Sequence, residues 1–60
     1  VKLFKLIENY RNMYKKGTKF FVISESEFIG VKSYVLQSED MSGKIVVSEE
    51  ELRKKFIALN

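Results

Sequence analysis

The side chains with any chemistry to offer are two close pairs of acids, Glu25 with Glu27 and Glu39 with Asp40, in a chain that contains no histidine and no cysteine. The commonest general base, the commonest thiol nucleophile and the preferred transition-metal ligands are therefore missing. Paired carboxylates can serve glycoside hydrolysis or hold a hard cation. Neither pair has the ligand spacing of a calcium loop, and Gly17, Gly30 and Gly43 stand too far apart to cradle a phosphate. The acids read as solvated loop residues. The expectation is no catalytic residue, no cofactor, no metal and no enzyme.

The distribution of charge is more informative. The chain carries a net +3, divided as +5 over residues 1–19, −5 over 20–51 and +3 over 52–60. If both ends are helical, the positive charge gathers on helix surfaces and the negative charge on loops. Arg11, Lys15, Lys16 and Lys19 then form a basic patch, joined by Arg53, Lys54 and Lys55, that is a candidate for phosphate contacts. Ordinary solvated helix faces explain the same charges, and no recognition motif accompanies them.

These residues need elements to hold them, and residues 43–59, GKIVVSEEELRKKFIAL, define the sharpest one. Ile45, Val46 and Val47 are β-branched and suit a strand over Lys44–Val47. Ser48 is placed to cap a helix starting at Glu49, with Glu51 reaching back to close a capping box and Val47 and Leu52 forming a hydrophobic staple. Three glutamates followed by Arg53, Lys54 and Lys55 match the sign of the helix dipole. Leu52, Phe56 and Leu59 fall on one face and extend the helix to Leu59.

At the other end, apolar residues at 3, 6, 7, 10, 13 and 14 cover an arc of roughly 120° at helical periodicity. That spacing predicts an amphipathic helix ending at Gly17, with Phe4 and Arg11 flanking its apolar stripe, and too short for a coiled coil. Lys19–Ser24, KFFVIS, reads as a strand covered on both faces and central in its sheet. Ser24–Gly30 reads as an irregular loop with Gly30 at a bulge or positive φ, and Val31–Ser38 as a second strand. Asp40-Met41-Ser42-Gly43 supplies a type I turn with glycine in the left-handed position. The favoured hairpin register sets Leu36 beside Val47 and keeps Leu36, Ile45 and Val47 together in the core; a three-residue loop would set Gln37 beside Val47.

The expected fold is thus α+β: helix, three-stranded antiparallel sheet, helix, in a two-layer α/β sandwich. The alternative is a small SH3-like β-barrel with an N-terminal helix, in which Ser48–Leu52 is one 3₁₀ turn and Arg53–Leu59 a closing strand. Sixty residues make one small domain, 1–60, close to the size at which a single core leaves little net stability without a partner. The absence of cysteine points to a reducing, cytoplasmic setting. No apolar run approaches the roughly 20 residues that cross a bilayer, and Lys2 and Lys5 interrupt Val1–Ile7, so no membrane association is expected.

In the sandwich the second face of the sheet is left over, carrying Phe20, Val22, Val35 and Val46, with Phe4 nearby. That is more apolar surface than a small monomer leaves in water. The expected function is therefore a non-enzymatic protein-interaction module, an inhibitor, adaptor or regulatory subunit, binding a protein partner or itself as a homodimer through that face. The alternative is a nucleic-acid-binding or transcription-regulating domain that uses the basic helix surfaces.

Overall fold

The structure, a computed structural model, describes residues 2–59; Val1, at the head of the apolar run weighed above, lies outside them. The elements are β1 (Leu3–Leu6), β2 (Lys19–Phe28), β3 (Val31–Ser38), β4 (Lys44–Ser48), α1 (Glu49–Lys55) and β5 (Phe56–Ala58). The strands form one antiparallel sheet in the order β4-β3-β2-β1-β5. The expected helix–three-strand–helix sandwich is overturned. The SH3-like alternative fails at the same N-terminal helix. Its 3₁₀ turn is replaced by α1, and its closing strand is reduced to Phe56–Ala58.

The N-terminal correction has a plain cause. Leu3–Leu6 lies between β2 and β5, with Phe4 opposite both Phe20 and Ala58 and Leu6 opposite Phe56. Pairing on both edges satisfies its backbone and buries Leu6 completely. An isolated helix of this length is marginal in water and offers less. After Leu6 the chain turns back on itself, with Arg11 and Asn12 both at positive φ and Tyr10 bridged to Tyr14. Asn9 stabilises this loop by accepting from the Lys16 amide at 2.9 Å. The apolar residues at 10 and 14 do face the core, but from a loop.

The sheet encloses its own core. Four strand spacings separate β4 from β5, about 19 Å if the sheet were flat, yet α1 joins them directly and its seven residues span only about 10 Å. The sheet must therefore curl. Its inner face collects Leu6, Phe20, Leu36, Ile45, Val47 and Phe56, with Leu52 entering from α1 and Tyr10 from the loop. Aromatic rings run through this core: Tyr14 meets Phe20 edge-on at 5.1 Å, Phe20 meets Phe56 at 5.7 Å, and Phe56 meets Tyr10 at 6.1 Å. With a closed inner face there is no need for two covering helices, which is why the two-layer arrangement fails.

Local chemistry at Ser48 follows the sequence closely. Its hydroxyl accepts from the Glu51 amide at 3.1 Å and α1 begins at Glu49. The reciprocal half of the capping box is replaced, because the Glu51 carboxylate accepts from the Tyr10 hydroxyl at 3.2 Å. The helix stops at Lys55 rather than running to Leu59. Phe56 is already extended at φ −129°, and its backbone pairs with Leu6. Leu52 and Phe56 are buried as expected, whereas Leu59 is exposed.

The β3–β4 hairpin pairs Leu36 with Ile45 and Tyr34 with Val47, two residues away from the favoured register. An even shift preserves side-chain parity, so Leu36, Ile45 and Val47 still share the core face. The hydrogen-bonded turn spans residues 38–41, two residues earlier than expected, and the Met41 amide donates to the Ser38 carbonyl at 2.9 Å. Met41, not Gly43, takes the positive φ, and the Asp40 carboxylate accepts from the Ser42 amide at 2.9 Å. Hydrogen bonds from Ser42 hold the Asp40 carboxyl below its ordinary value of 3.8. Gly43 matters for a different reason: a Cβ there would collide with the Tyr14 hydroxyl and displace that ring.

Candidate interaction surface

Strand parity sorts the expected interface residues onto two faces. Phe20, Val22 and Phe4 point inward; Phe20 is fully buried, and Phe4 and Val22 pack against the core. Only Val35 and Val46, paired across β3 and β4, lie on the outward face. The expectation that Phe20, Val22, Val35 and Val46 share one face, with Phe4 nearby, is corrected. Its cause is register: Val22 lies opposite Leu36, Phe20 opposite Ser38 and Phe4 opposite Phe20, which puts them on the core side, while Val35 and Val46 alternate with Leu36 and Ile45. Between Val22 and Ser24 a bulge inserts Ile23 and the alternation of β2 reverses. Ahead of the bulge even-numbered residues face the core, and beyond it they face out.

The outward face can be read from the pairings. Val46 lies beside Val35, Lys44 beside Gln37, Gln37 beside Phe21, Phe21 beside Leu3, and Lys19 beside Lys5, which is flanked by Ile57. Leu3, Phe21 and Val35 are half-buried, and Val46 is 61% exposed. Lys5, Lys19 and Lys44 surround this apolar centre. No aspartate or glutamate occupies the outward face of the five strands, although the chain has eight acids. Lys5 directly opposite Lys19 is an unfavourable pair in a sheet unless an anion is supplied from outside.

Beyond the bulge lies a second exposed feature. Ser24–Gly30 is not an irregular loop: β2 continues to Phe28 and pairs with β3 as far as Val31. β1 pairs with β2 only up to Phe21, and β4 pairs with β3 only down to Ser33. Residues 24–32 therefore form a two-stranded arm. Its tip is the loop Ile29-Gly30, at φ 51° and 77°, which is the geometry of a type I′ turn. Gly30 suits it, but a β-branched isoleucine in the left-handed region costs about 1–2 kcal/mol. Phe28, Ile29 and Val31 at this tip are 77%, 84% and 61% exposed. Nothing in a periodicity count separates them from core residues; the useful signal was an apolar residue directly before a glycine in a turn that favours asparagine.

The basic cluster is dispersed, because the helix expected to carry its first half does not form. Arg53 pairs with Glu49 at 3.4 Å and Lys54 with Glu50 at 3.3 Å, both within α1. Arg11 lies 3.9 Å from Glu51 and stacks over the Tyr10 ring at 4.9 Å, with the Lys55 ammonium 5.5 Å from the same ring. Burial, reinforced by the Glu51 charge, raises the Tyr10 hydroxyl above its ordinary value of 10.0. These contacts tie the loop to α1 and leave little for a phosphate. Lys15 and Lys16 are exposed on the loop, and Lys19 belongs to the outward sheet face beside Lys5.

Among the described residues no group of three acids, histidines or cysteines gathers to hold a metal, and no helix is long and apolar enough to cross a membrane. The paired acids are separated by the fold: Glu25 and Glu27 lie on the arm, with Glu25 3.9 Å from Lys32, and Glu39 and Asp40 lie at the β3–β4 turn. Comparison with family models, curated proteins and solved structures gives no match to this chain.

Proposed function

We propose that this chain is a small non-enzymatic protein-interaction module, an inhibitor, adaptor or regulatory subunit, that binds an acidic protein surface through the outward face of its sheet. The observation that carries the reading is an apolar centre of Leu3, Phe21, Val35 and Val46 ringed by Lys5, Lys19 and Lys44 with no acid among them. An apolar patch rimmed by one sign of charge selects a partner by area burial and by charge complementarity. The same charges oppose self-pairing through this face, since two copies would set lysines against lysines. A different protein is the better occupant than a second copy.

A second reading rests on the same face. Three lysines with Phe21 and Gln37 could follow a single nucleic-acid strand, phosphates on the cations and a base on the ring. The two readings separate in one experiment. Complexes are recovered from an extract of the source cells with and without nuclease, using the native chain, Val46→Glu, and Lys5, Lys19 and Lys44 all changed to glutamine. For a protein partner, nuclease has no effect and Val46→Glu abolishes recovery. Loss on nuclease treatment, together with tight oligonucleotide binding at about 0.15 M salt that fails in the triple variant, would favour nucleic acid.

A further inference from the structure

The arm is built in a way the outward face does not require. From Ser33, the last residue covered by β4, the ribbon projects about 10 Å to its tip. Its end exposes Phe28, Ile29 and Val31 on a turn whose left-handed first position an asparagine would fill with less strain. Strain and exposed apolar area at one place point to a binding role. We infer that the tip is a plug that enters an apolar pocket of a protein partner, with a lysine or arginine on the pocket rim to meet Glu27.

Charge and shape favour this occupant over the others. Glu27 directly precedes Phe28 and lies opposite Lys32, but the Lys32 ammonium is 3.9 Å from Glu25, so Glu27 makes no ion pair among the described residues and the arm carries two carboxylates to one ammonium. A carboxylate behind the tip is repelled by anionic lipid headgroups, where inserted segments favour lysine and arginine. Two clefts of the described residues are open and mixed in lining, one formed by Asn9, Asn12, Met13, Tyr14 and Lys15 and one by Glu50, Arg53 and Lys54. Neither is an enclosed apolar recess of the kind a projecting ribbon fills, so a separate protein is the better occupant than a second copy.

The inference rests on the reading of the chain as a protein-binding module, and its test keeps the two apart. A photoreactive benzophenone side chain is placed at position 29 of the full chain, with a control at position 12, and cross-linked peptides from a source-cell extract are mapped. The partner so identified is then purified and titrated with variants. Ile29→Asn keeps the fold and raises the melting temperature by roughly 4 °C, yet weakens binding about thirtyfold. Glu27→Lys weakens it severalfold at low salt, and the difference shrinks as salt rises. Cross-links must fall on apolar residues with a lysine or arginine within the same recess.

Cross-links to a flat or acidic surface, or none above the control, overturn the plug. Retained affinity in Ile29→Asn with loss in Val46→Glu overturns the plug and leaves the sheet-face reading standing; retention in both overturns both. Co-sedimentation with phosphatidylcholine–phosphatidylglycerol vesicles that Ile29→Asn removes would assign the tip to a bilayer. A concentration-dependent rise in mass of the chain alone, removed by the same substitution, would assign it to a second copy.

Discussion

The two halves of the β2–β3 ribbon use similar residues to opposite ends. In the proximal half Phe20 and Val22 lie opposite Ser38 and Leu36, with β1 and β4 on either side, and Phe20 is completely buried. In the distal half Phe28 lies opposite Val31 with no strand on either flank, and it is 77% exposed. The same residue type in the same strand is core at position 20 and surface at position 28. What separates them is the supply of neighbours. The Ile23 bulge turns the pleat over where the flanking strands stop, so each half presents its phenylalanine to a different side.

The strongest way to break that contrast is to truncate both phenylalanines. Phe20→Ala removes a ring in contact with Tyr14 and Phe56 and is expected to cost about 4 kcal/mol, enough to unfold most of the population of a domain this small. Phe28→Ala is expected to change stability by less than about 0.5 kcal/mol. Chemical denaturation measures both, and a large loss at position 28 would mean that the arm folds back onto the core.

A smaller effect tests how the proximal half is closed. Ser48 ends β4 opposite Ser33 and caps α1, so its hydroxyl fixes the point at which the sheet hands over to the segment crossing the open end. Ser48→Ala is expected to cost about 1 kcal/mol. Amide exchange should show the loss in α1 and β5 while the distal arm is unchanged. A uniform loss that included the arm would show that the halves are coupled.

The mildest probe is the Tyr10 hydroxyl, which reports whether the loop seals the proximal core. Its ionisation is pushed above 10.0 by burial first and by the Glu51 charge second. The sign follows: this contribution to stability is fully present below pH 10 and is lost as pH rises through the folded-state value. Ultraviolet difference absorbance should show a tyrosine component delayed beyond pH 10. Glu51→Gln should reduce the delay without removing it, since burial remains.

Much of this was written locally. The Ser48 cap, the start of α1 at Glu49, the β-branched run of β4 and the central place of Lys19–Ser24 all depend on residues next to one another in sequence. The core face of the β3–β4 hairpin was also legible despite the shifted register, because parity survives an even slip. Helix periodicity at residues 3–14 was misleading: a segment that alternates between core and outward face as β1, then folds Tyr10 and Tyr14 inward from a loop, produces the same spacing. Asn9 and Asn12 inside that segment were the available warning, since asparagine favours turns over helix interiors.

By itself the sequence determined the Ser48 cap, the strand-forming runs of β3 and β4 and the excess of positive charge. The tertiary structure alone decided that Leu3–Leu6 is a strand, since only β2 and β5 offer partners for both of its edges. It decided equally that Lys5, Lys19 and Lys44 share an acid-free face and that Phe28, Ile29 and Val31 are surface. Those outcomes depend on register, on one bulged residue and on where neighbouring strands end. Each is fixed by contacts between segments distant in sequence, and such contacts leave no mark on local spacing.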